Sequence, residues 1–312
     1  MSRLSRRDFV VRSAAGAAAL GAGNLLGSEA FAAEKRADMA IARWGGPQPA
    51  ADEIGAAAVK LTEQAVGGVG GMKRFISKGD VVWVKPNIAW DRAAELAANT
   101  NPDVVATVVR LCLEAGAKTI KVGDHPCNTA ASTYKNSGIA EAARRAGAEV
   151  VFVDPLRFRE TSVKGERFKS LKLYPEMLDC DLLVNVPIAK HHGLATATLC
   201  MKNLMGLMDD RRRYHQALPD MLADLARFVK PRISILDGVR VLTAHGPRGG
   251  NPDDVQLKMT IAAGVDLVAM DAFGAELLGR KLEEVPSIGK AQEAELGTED
   301  YRSLSPREIS VS

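Results

Sequence analysis

The residues VVWVKPN (81–87), then NPDVVATVVRLCLEAG (101–116), then KTIKVGDHPCN (118–128) decide the fold. Residues 81–84 form an unbroken apolar run, which reads as a strand buried on both faces. It ends where Lys85, Pro86 and Asn87 leave the sheet. Asn101 is a favourable helix cap, Pro102 suits the first helical position and Asp103 puts an acid in the first turn. That helix is expected to reach Ala115 and stop at Gly116, with the next strand over 119–122 and its exit loop over 123–128. A second helix over 139–146 leads to a strand over 150–153. Strand, loop, helix and strand in this order call for parallel strands joined by right-handed crossovers. The expected fold class is α/β, a mostly parallel sheet with helices on both faces.

The pattern extends outward in both directions. Upstream, 52–65 reads as an amphipathic helix followed by the glycine-rich 67–71 and a short helix over 72–76. Downstream, 160–163 and 167–171 look like two short strands about Lys164, Gly165 and Glu166, a surface β-hairpin inserted into the α/β pattern. Strands are expected over 181–186, 233–236 and 259–263, and helices over 221–229 and 267–278, with one more helix ending near Leu296. The segment 196–208, TATLCMKNLMGLM, is apolar enough to be a core helix, and its methionines at helical spacing are expected to pack rather than to bind copper.

The first residues read differently. Arg6 and Arg7 precede Phe9, an Ala/Gly/Leu stretch runs from Ala14 to Leu26, and Ala30, Phe31 and Ala32 make a small-x-small end. A basic region, a weakly apolar core and such an end describe a cleavable signal for the twin-arginine export machinery. The expected organisation is a signal peptide over 1–32 and a single α/β domain over 33–312, acting in the periplasm without a permanent membrane span. That route moves folded proteins, which suits a chain that loads a cofactor before export. Removing residues 1–32 takes four arginines against Asp8 and Glu29, a charge of +2 out of the formal +3, and leaves +1. A nearly neutral chain lacks the basic stripe of a nucleic-acid binder. Arg211, Arg212 and Arg213 form the densest basic run, and with two aspartates before it it reads as a self-compensated turn.

The chain has four cysteines and no CxxC pair, so neither a zinc site of usual spacing nor a self-contained iron–sulfur cluster is expected. It has five histidines, His125, His191, His192, His215 and His245, and each follows closely on an expected strand or helix end. In an open α/β sheet such segments gather along one edge, where ligands bind. Sorting polar residues by strand exit brings together Lys85 and Asn87, Asp124 and His125, Lys190 with His191 and His192, Asp237, and His245 with Arg248. The densest stretch is NVPIAKHHGLATATLCMKNLMGLMDDRRRYH (185–215), which adds Lys202, Asn203 and His215.

Lys85, Lys190, Lys202 and Arg248 would hold a small anionic ligand such as a carboxylate or phosphate. His191, His192 and His215 would act as acid/base groups, as hydrogen-bonding groups or as ligands of a transition metal. Adjacent histidines on a strand point oppositely and cannot share a metal; in a loop both could reach it. Asp124 and Asp237 would orient histidines or coordinate a cation.

Together VVWVKPN, Gly123-Asp124, Asn136-Ser137-Gly138, NVPIAKHH…MKNLMG…RRRYH, Ile235-Leu236-Asp237-Gly238, Gly246 to Gly250 and Asp266 to Ala272 resemble the bacterial domain-of-unknown-function family 362. Many members of that family carry a ferredoxin-like cysteine segment and are described as iron–sulfur proteins; this sequence lacks the segment. A weaker similarity is to the nickel-pincer lactate racemase group, where a lysine holds a cofactor and histidines touch nickel. It implies such roles for Lys202, His191, His192 and His215. Two functions remain from the residues: an enzyme acting on a small anion with Lys/His chemistry, and a non-catalytic carrier or assembly factor for a metal or redox cofactor.

Overall fold

A computed structural model describes residues 37–312. The export-signal reading of 1–32 lies outside the described residues. The chain opens with β1 (Met39–Trp44) and α1 (Ile54–Gly68), then β2 (Val81–Pro86), α2 (Pro102–Glu114) and β3 (Thr119–Val122). Two helices, α3 (Ala130–Asn136) and α4 (Ile139–Arg145), lead to a short β4 (Glu149–Val150). Next come β5 (Arg159–Ser162), β6 (Ser170–Leu173), α5 (Pro175–Leu178), β7 (Leu182–Val186), β8 (Ile188–His192), β9 (Thr196–Thr198) and α6 (Cys200–Asn203). The chain closes with α7 (Leu218–Val229), β10 (Ile233–Leu242), β11 (Val255–Gly264), α8 (Leu267–Leu277), α9 (Pro286–Glu293) and β12 (Arg307–Val311).

The central sheet runs β12-β1-β11-β10-β7-β2-β3-β4, with β8 and β9 attached to β10. From β10 to β4 neighbouring strands are parallel, whereas β11 is antiparallel to both β10 and β1. The sheet is mostly parallel within an α/β fold, and β5–β6 forms the small separate antiparallel hairpin. Helix α2 begins as its sequence asks: the Asn101 side chain accepts from the Asp103 N–H, and Pro102 sits in the first turn.

Alternation along β2 explains its unbroken apolar run. Val82 and Val84 face a layer with Leu61 of α1, Val105 and Val108 of α2 and Ala143 of α4. Trp83 faces the opposite layer, with Leu222 and Leu225 of α7, Phe273 of α8 and Ile288 of α9. Successive side chains of a strand point to opposite faces, so the part of β2 covered by helices on both sides, residues 82–84, has no solvent-facing position. At the end of β3, Gly123 is needed for space, because a Cβ there would lie 2.7 Å from the Val151 carbonyl and 2.8 Å from the Trp83 ring.

The structure departs from expectation in three places. Residues 39–44 and 307–311 form β1 and the edge strand β12, which pair with each other, and β1 pairs on its other side with β11. Their partners come from the other end of the chain, so no local pattern marks them. Residues 188–192 are a strand rather than an exit loop. After Pro187 the chain re-pairs with the far half of β10, a strand of ten residues where four were expected. The apolar run 196–208 is broken into β9, one turn of α6 and a 3-10 turn over Leu204–Leu207. The buried Asp271 carboxylate of α8 accepts from the Cys200 and Met201 N–H groups and so starts α6 there. Met201, Met205 and Met208 are buried in the core, as packing residues. Among the described residues no helix is long and apolar enough to cross a membrane.

The turn of the hairpin is anchored by the Asp224 side chain. Asp224 of α7 accepts from the backbone N–H groups of Glu166, Arg167 and Phe168 at 2.6, 3.0 and 2.8 Å. Asp224→Ala strands three donors, and is expected to cost roughly 2–4 kcal/mol of stability. Urea unfolding measures the cost, and limited proteolysis should show new cleavage between residues 163 and 169.

Candidate functional site

The site is built on a buried polar network at the carboxyl ends of β2, β3 and β7. Lys85 and Asn185 are register partners on β2 and β7 and both are fully buried. Asn203 of α6 lies against them. Its amide donates to the Lys85 carbonyl at 3.2 Å and to Asn185 Oδ1 at 2.9 Å, while its Oδ1 accepts from Lys85 Nζ at 3.2 Å and Asn87 Nδ2 at 3.0 Å. Asn185 in turn donates to the Cys200 carbonyl and to Ser234 Oγ.

Lys85 is the charged centre of this network. Its Nζ lies 2.8 Å from Asp124 Oδ1, with neither side chain appreciably exposed, and also donates to the Pro86 carbonyl at 2.9 Å and to Asn203. Three acceptors match the three hydrogens of an ammonium. Burial pulls the Lys85 pKa below its usual value, and the Asp124 carboxylate opposes that pull. Asp124 also accepts from the Ile88 and His125 N–H groups, so the pair ties β2, β3 and their exit loops together. Gly206 lies directly over it: a Cβ there would sit 1.8 Å from Asp124 Oδ1 and 2.7 Å from Lys85 Nζ.

Above this floor is a cavity of about 600 Å³. Asn87, Lys190, His192, Lys202 and Asn203 line it from the β2 exit, β8 and α6, and Asp124, His125 and Cys127 from the β3 exit. Arg211, Arg212 and His215 face it from the segment before α7, and Ala89, Trp90, Leu194 and Pro247 supply apolar wall. Burial, reinforced by the Arg211 charge, lowers the Lys202 pKa to about 8. Lys190 is 1% exposed and donates to Asn87 Oδ1 at 2.8 Å and to the Ala98 carbonyl. Its burial lowers the amine to about 7.

The histidines sort by their backbone partners. Backbone N–H groups can only donate, so His192 Nδ1 accepts from Leu194 at 3.1 Å and Ala195 at 3.2 Å, and the neutral ring carries its proton on Nε2. Burial, with Lys202 and Lys190 nearby, lowers the His192 pKa to about 2, which keeps it neutral. His191 is arranged the same way, accepting from Gly246 N–H at 2.9 Å. The opposite tautomer holds where Nδ1 meets a carbonyl. His125 and His215 lie 2.9 and 3.0 Å from the Met208 and Arg212 carbonyls, which leaves the Nε2 lone pair on each neutral ring.

The strand exits thus converge in part. Of the thirteen residues singled out from sequence, Asn87, Asp124, His125, Lys190, His192, Lys202, Asn203 and His215 line the cavity and Lys85 lies beneath it. His191 does not line it: it alternates with Lys190 and His192 on β8, and its ring is taken by the Gly246 N–H. His245 is on the surface with its Nδ1 2.9 Å from Asp254, and Arg248 is exposed, outside the cavity lining. Asp237 is fully buried, and accepts from the Asn101 and Val239 N–H groups. Desolvation raises its pKa to about 6. Neither Asp237 nor Asp124 orients a histidine side chain; Asp124 serves Lys85. Lys85, matched by Asp124, is a structural cation rather than an anion ligand.

Three residues carry more than the sequence suggested. Arg211 and Arg212 face the cavity instead of forming a self-compensated turn: Asp209 is taken by Lys172 at 2.6 Å, and Asp210 lines the cavity without pairing with either arginine. Asp271 positions α6, and with it Lys202 and Asn203, through the Cys200 and Met201 N–H groups; burial raises it to about 7. Its signal was an acid inside an otherwise apolar helical run, 267–275. Among the described residues no group of three His, Cys, Asp or Glu side chains is placed to hold a metal ion. The four cysteines are free and dispersed, so they do not fit an iron–sulfur cluster. His192, whose Nε2 bears hydrogen, does not fit a metal ligand either.

A mostly parallel α/β sheet with a cationic cavity over a buried lysine–aspartate pair is the class that fold and site define. The chain belongs to the family called domain of unknown function (DUF362), whose profile matches residues 82–276. That span runs from β2 into α8 and contains every residue of the network and cavity lining. The chain is also 31% identical over 235 residues to a thylakoid-associated protein of Synechocystis sp. (strain ATCC 27184 / PCC 6803 / Kazusa), covering 72% of this chain and 71% of that one.

Removing one member of a buried ion pair leaves an uncompensated charge, so Asp124→Ala is expected to cost about 3–5 kcal/mol. The double variant Lys85→Met/Asp124→Leu should recover much of that loss. A double-mutant cycle from chemical denaturation measures the coupling.

Proposed function

We propose that this protein is an enzyme that binds a small anionic substrate in the cavity and acts on it by acid–base chemistry. The observation that carries this reading is a charge imbalance. Lys202, Arg211 and Arg212 line the cavity, and no described carboxylate lies within ion-pair distance of any of them. The best contact made by Lys202 Nζ is to the Met205 sulfur at 3.6 Å, a weak acceptor. Asp210 also lines the cavity but pairs with none of the three, and Asp124 is taken by Lys85; cations that outnumber the carboxylates of a partly enclosed site favour an anion, most of all a carboxylate or phosphate that meets guanidinium groups in paired hydrogen bonds. The volume suits a ligand larger than a single inorganic ion. In the polar floor of Asn87, Lys190 and His192, Lys190 is the group able to take or give a proton near neutrality, and Asn87 and the neutral His192 ring offer hydrogen bonds. The signal-peptide reading of residues 1–32 assigns the activity to the periplasm after twin-arginine export.

The pH dependence follows from Lys202. Its pKa in the free site is about 8, and a bound anion raises it, so binding takes up a proton above that pH. Affinity is full below about 8 and falls as pH rises through it, approaching tenfold per pH unit until the pKa of the complex is reached. Calorimetric titration with a panel of di- and tricarboxylates and phosphate esters at pH 7, 8 and 9 measures this. Lys202→Met should weaken the best binder by roughly 10- to 100-fold and flatten the profile. If no member of the panel binds at millimolar concentration, the reading is wrong. For the location, expression with Arg6→Lys/Arg7→Lys should shift the protein from the periplasmic to the cytoplasmic fraction on immunoblots.

A further inference from the structure

We propose that Lys190 and His192 form a proton-abstraction centre for a carbonyl-bearing anion, Lys190 as the base and His192 as the neutral donor that holds the oxygen where charge develops. This rests on the anion-binding reading above and narrows it to a reaction class.

The two buried lysines differ in how many acceptors surround them. Lys85 has three, which requires an ammonium. Lys190 has two, Asn87 Oδ1 and the Ala98 carbonyl, which a neutral amine satisfies with its two hydrogens. The third tetrahedral position of Lys190 Nζ then carries a lone pair. Lys190 lines the cavity while its own surface is almost wholly buried, so that lone pair meets a ligand rather than bulk water. Both existing hydrogen bonds survive protonation, because the added hydrogen takes the third position. Attack of the amine on a carbonyl would instead leave an imine nitrogen with at most one hydrogen for two acceptors, so proton transfer is the better use of this geometry.

His192 is two residues further along β8, and alternate residues of a strand face the same side. Its Nδ1 is committed to two backbone N–H groups, so it offers the cavity a hydrogen on Nε2. A neutral imidazole donor stabilises an enolate oxygen without adding a charge to the resting site. In the step, the C–H bond next to the carbonyl breaks and its proton passes to the Lys190 lone pair, giving an ammonium. The electron pair left on carbon shifts onto the carbonyl oxygen, which accepts from His192 Nε2–H. Return of the proton to carbon restores both groups, so no co-reactant is consumed. Lys202, Arg211 and Arg212 hold the anionic end.

The groups facing Lys190 are Cys127 and Asp124 from the β3 exit, Lys202 from α6, Lys85 from β2 and His192 on β8 itself. Burial is the largest influence and lowers the amine to about 7, with Cys127 and Asp124 opposing and Lys202 and Lys85 adding to it. An amine that titrates there is partly unprotonated at neutral pH and basic enough to take a carbon-bound proton.

Protein labelled with 13C and 15N tests this in the wild-type chain, with resonances assigned through the backbone so that no variant has to fold. The Lys190 Cε and Nζ shifts should titrate near neutrality while those of Lys85 stay at ammonium values to pH 9, and long-range 15N spectra should place the His192 hydrogen on Nε2. A Lys190 ammonium that persists to pH 9, or a His192 hydrogen on Nδ1, overturns the proposal. In D2O the protein should speed deuterium entry next to the carbonyl of pyruvate, 2-oxobutyrate or 2-oxoglutarate by at least about 100-fold, and Lys190→Met should abolish it. No exchange in any of the three, with Lys190 neutral, also overturns it. Inorganic phosphate added to the same sample separates the two readings. If Lys190 is neutral and catalyses exchange but phosphate moves no cavity resonance, the base stands and the charge-imbalance reading fails.

Discussion

The buried ion pair between Lys85 and Asp124 is the constraint on which this structure depends. An ammonium with no access to water survives only if every hydrogen finds an acceptor and one acceptor carries a charge. Asp124, the Pro86 carbonyl and Asn203 meet that demand at 2.8, 2.9 and 3.2 Å. Each comes from a different part of the chain, so satisfying one amine fixes the end of β2, the exit of β3 and the turn of α6. Gly206 follows from the same constraint, since even a methyl group at that position would overlap the pair.

The network also divides labour among lysines that look alike in sequence. Lys85 is neutralised and structural. Lys190 is buried with amide and carbonyl partners but no carboxylate, and Lys202 is left with a thioether. Neither of those two amines has a carboxylate in direct contact, so the cost of their burial is only partly offset. A site under that kind of strain favours a ligand that supplies the missing charge or a reaction that moves the proton. The histidines are divided likewise: backbone donors at His192 and backbone acceptors at His125 and His215 select opposite tautomers before any ligand arrives.

Much of the fold was legible locally. The strand and helix starts from β2 to β3 follow from Asn101-Pro102-Asp103, Gly116 and the apolar run 81–84, because caps and breakers act within a few residues. Strands β1 and β12 were not, since their partners are remote in sequence. The 196–208 run misleads for the same reason. Its apolar pattern fits a helix, yet Asp271, far along the chain, decides where the helix starts.

By itself the sequence determined the α/β class and picked out nine residues that lie at or beneath a cavity over the carboxyl ends of the parallel strands. Periodicity and capping are local, and strand exits in such a sheet gather on one edge whatever the details. Only the tertiary structure decided which cations are free and which are paired, that His191 turns away while Lys190 and His192 turn in, and which ring nitrogen holds each proton. Those outcomes depend on pairing β8 with β10 and on carboxylates and carbonyls brought in from distant segments. Residue type alone carries no record of that pairing.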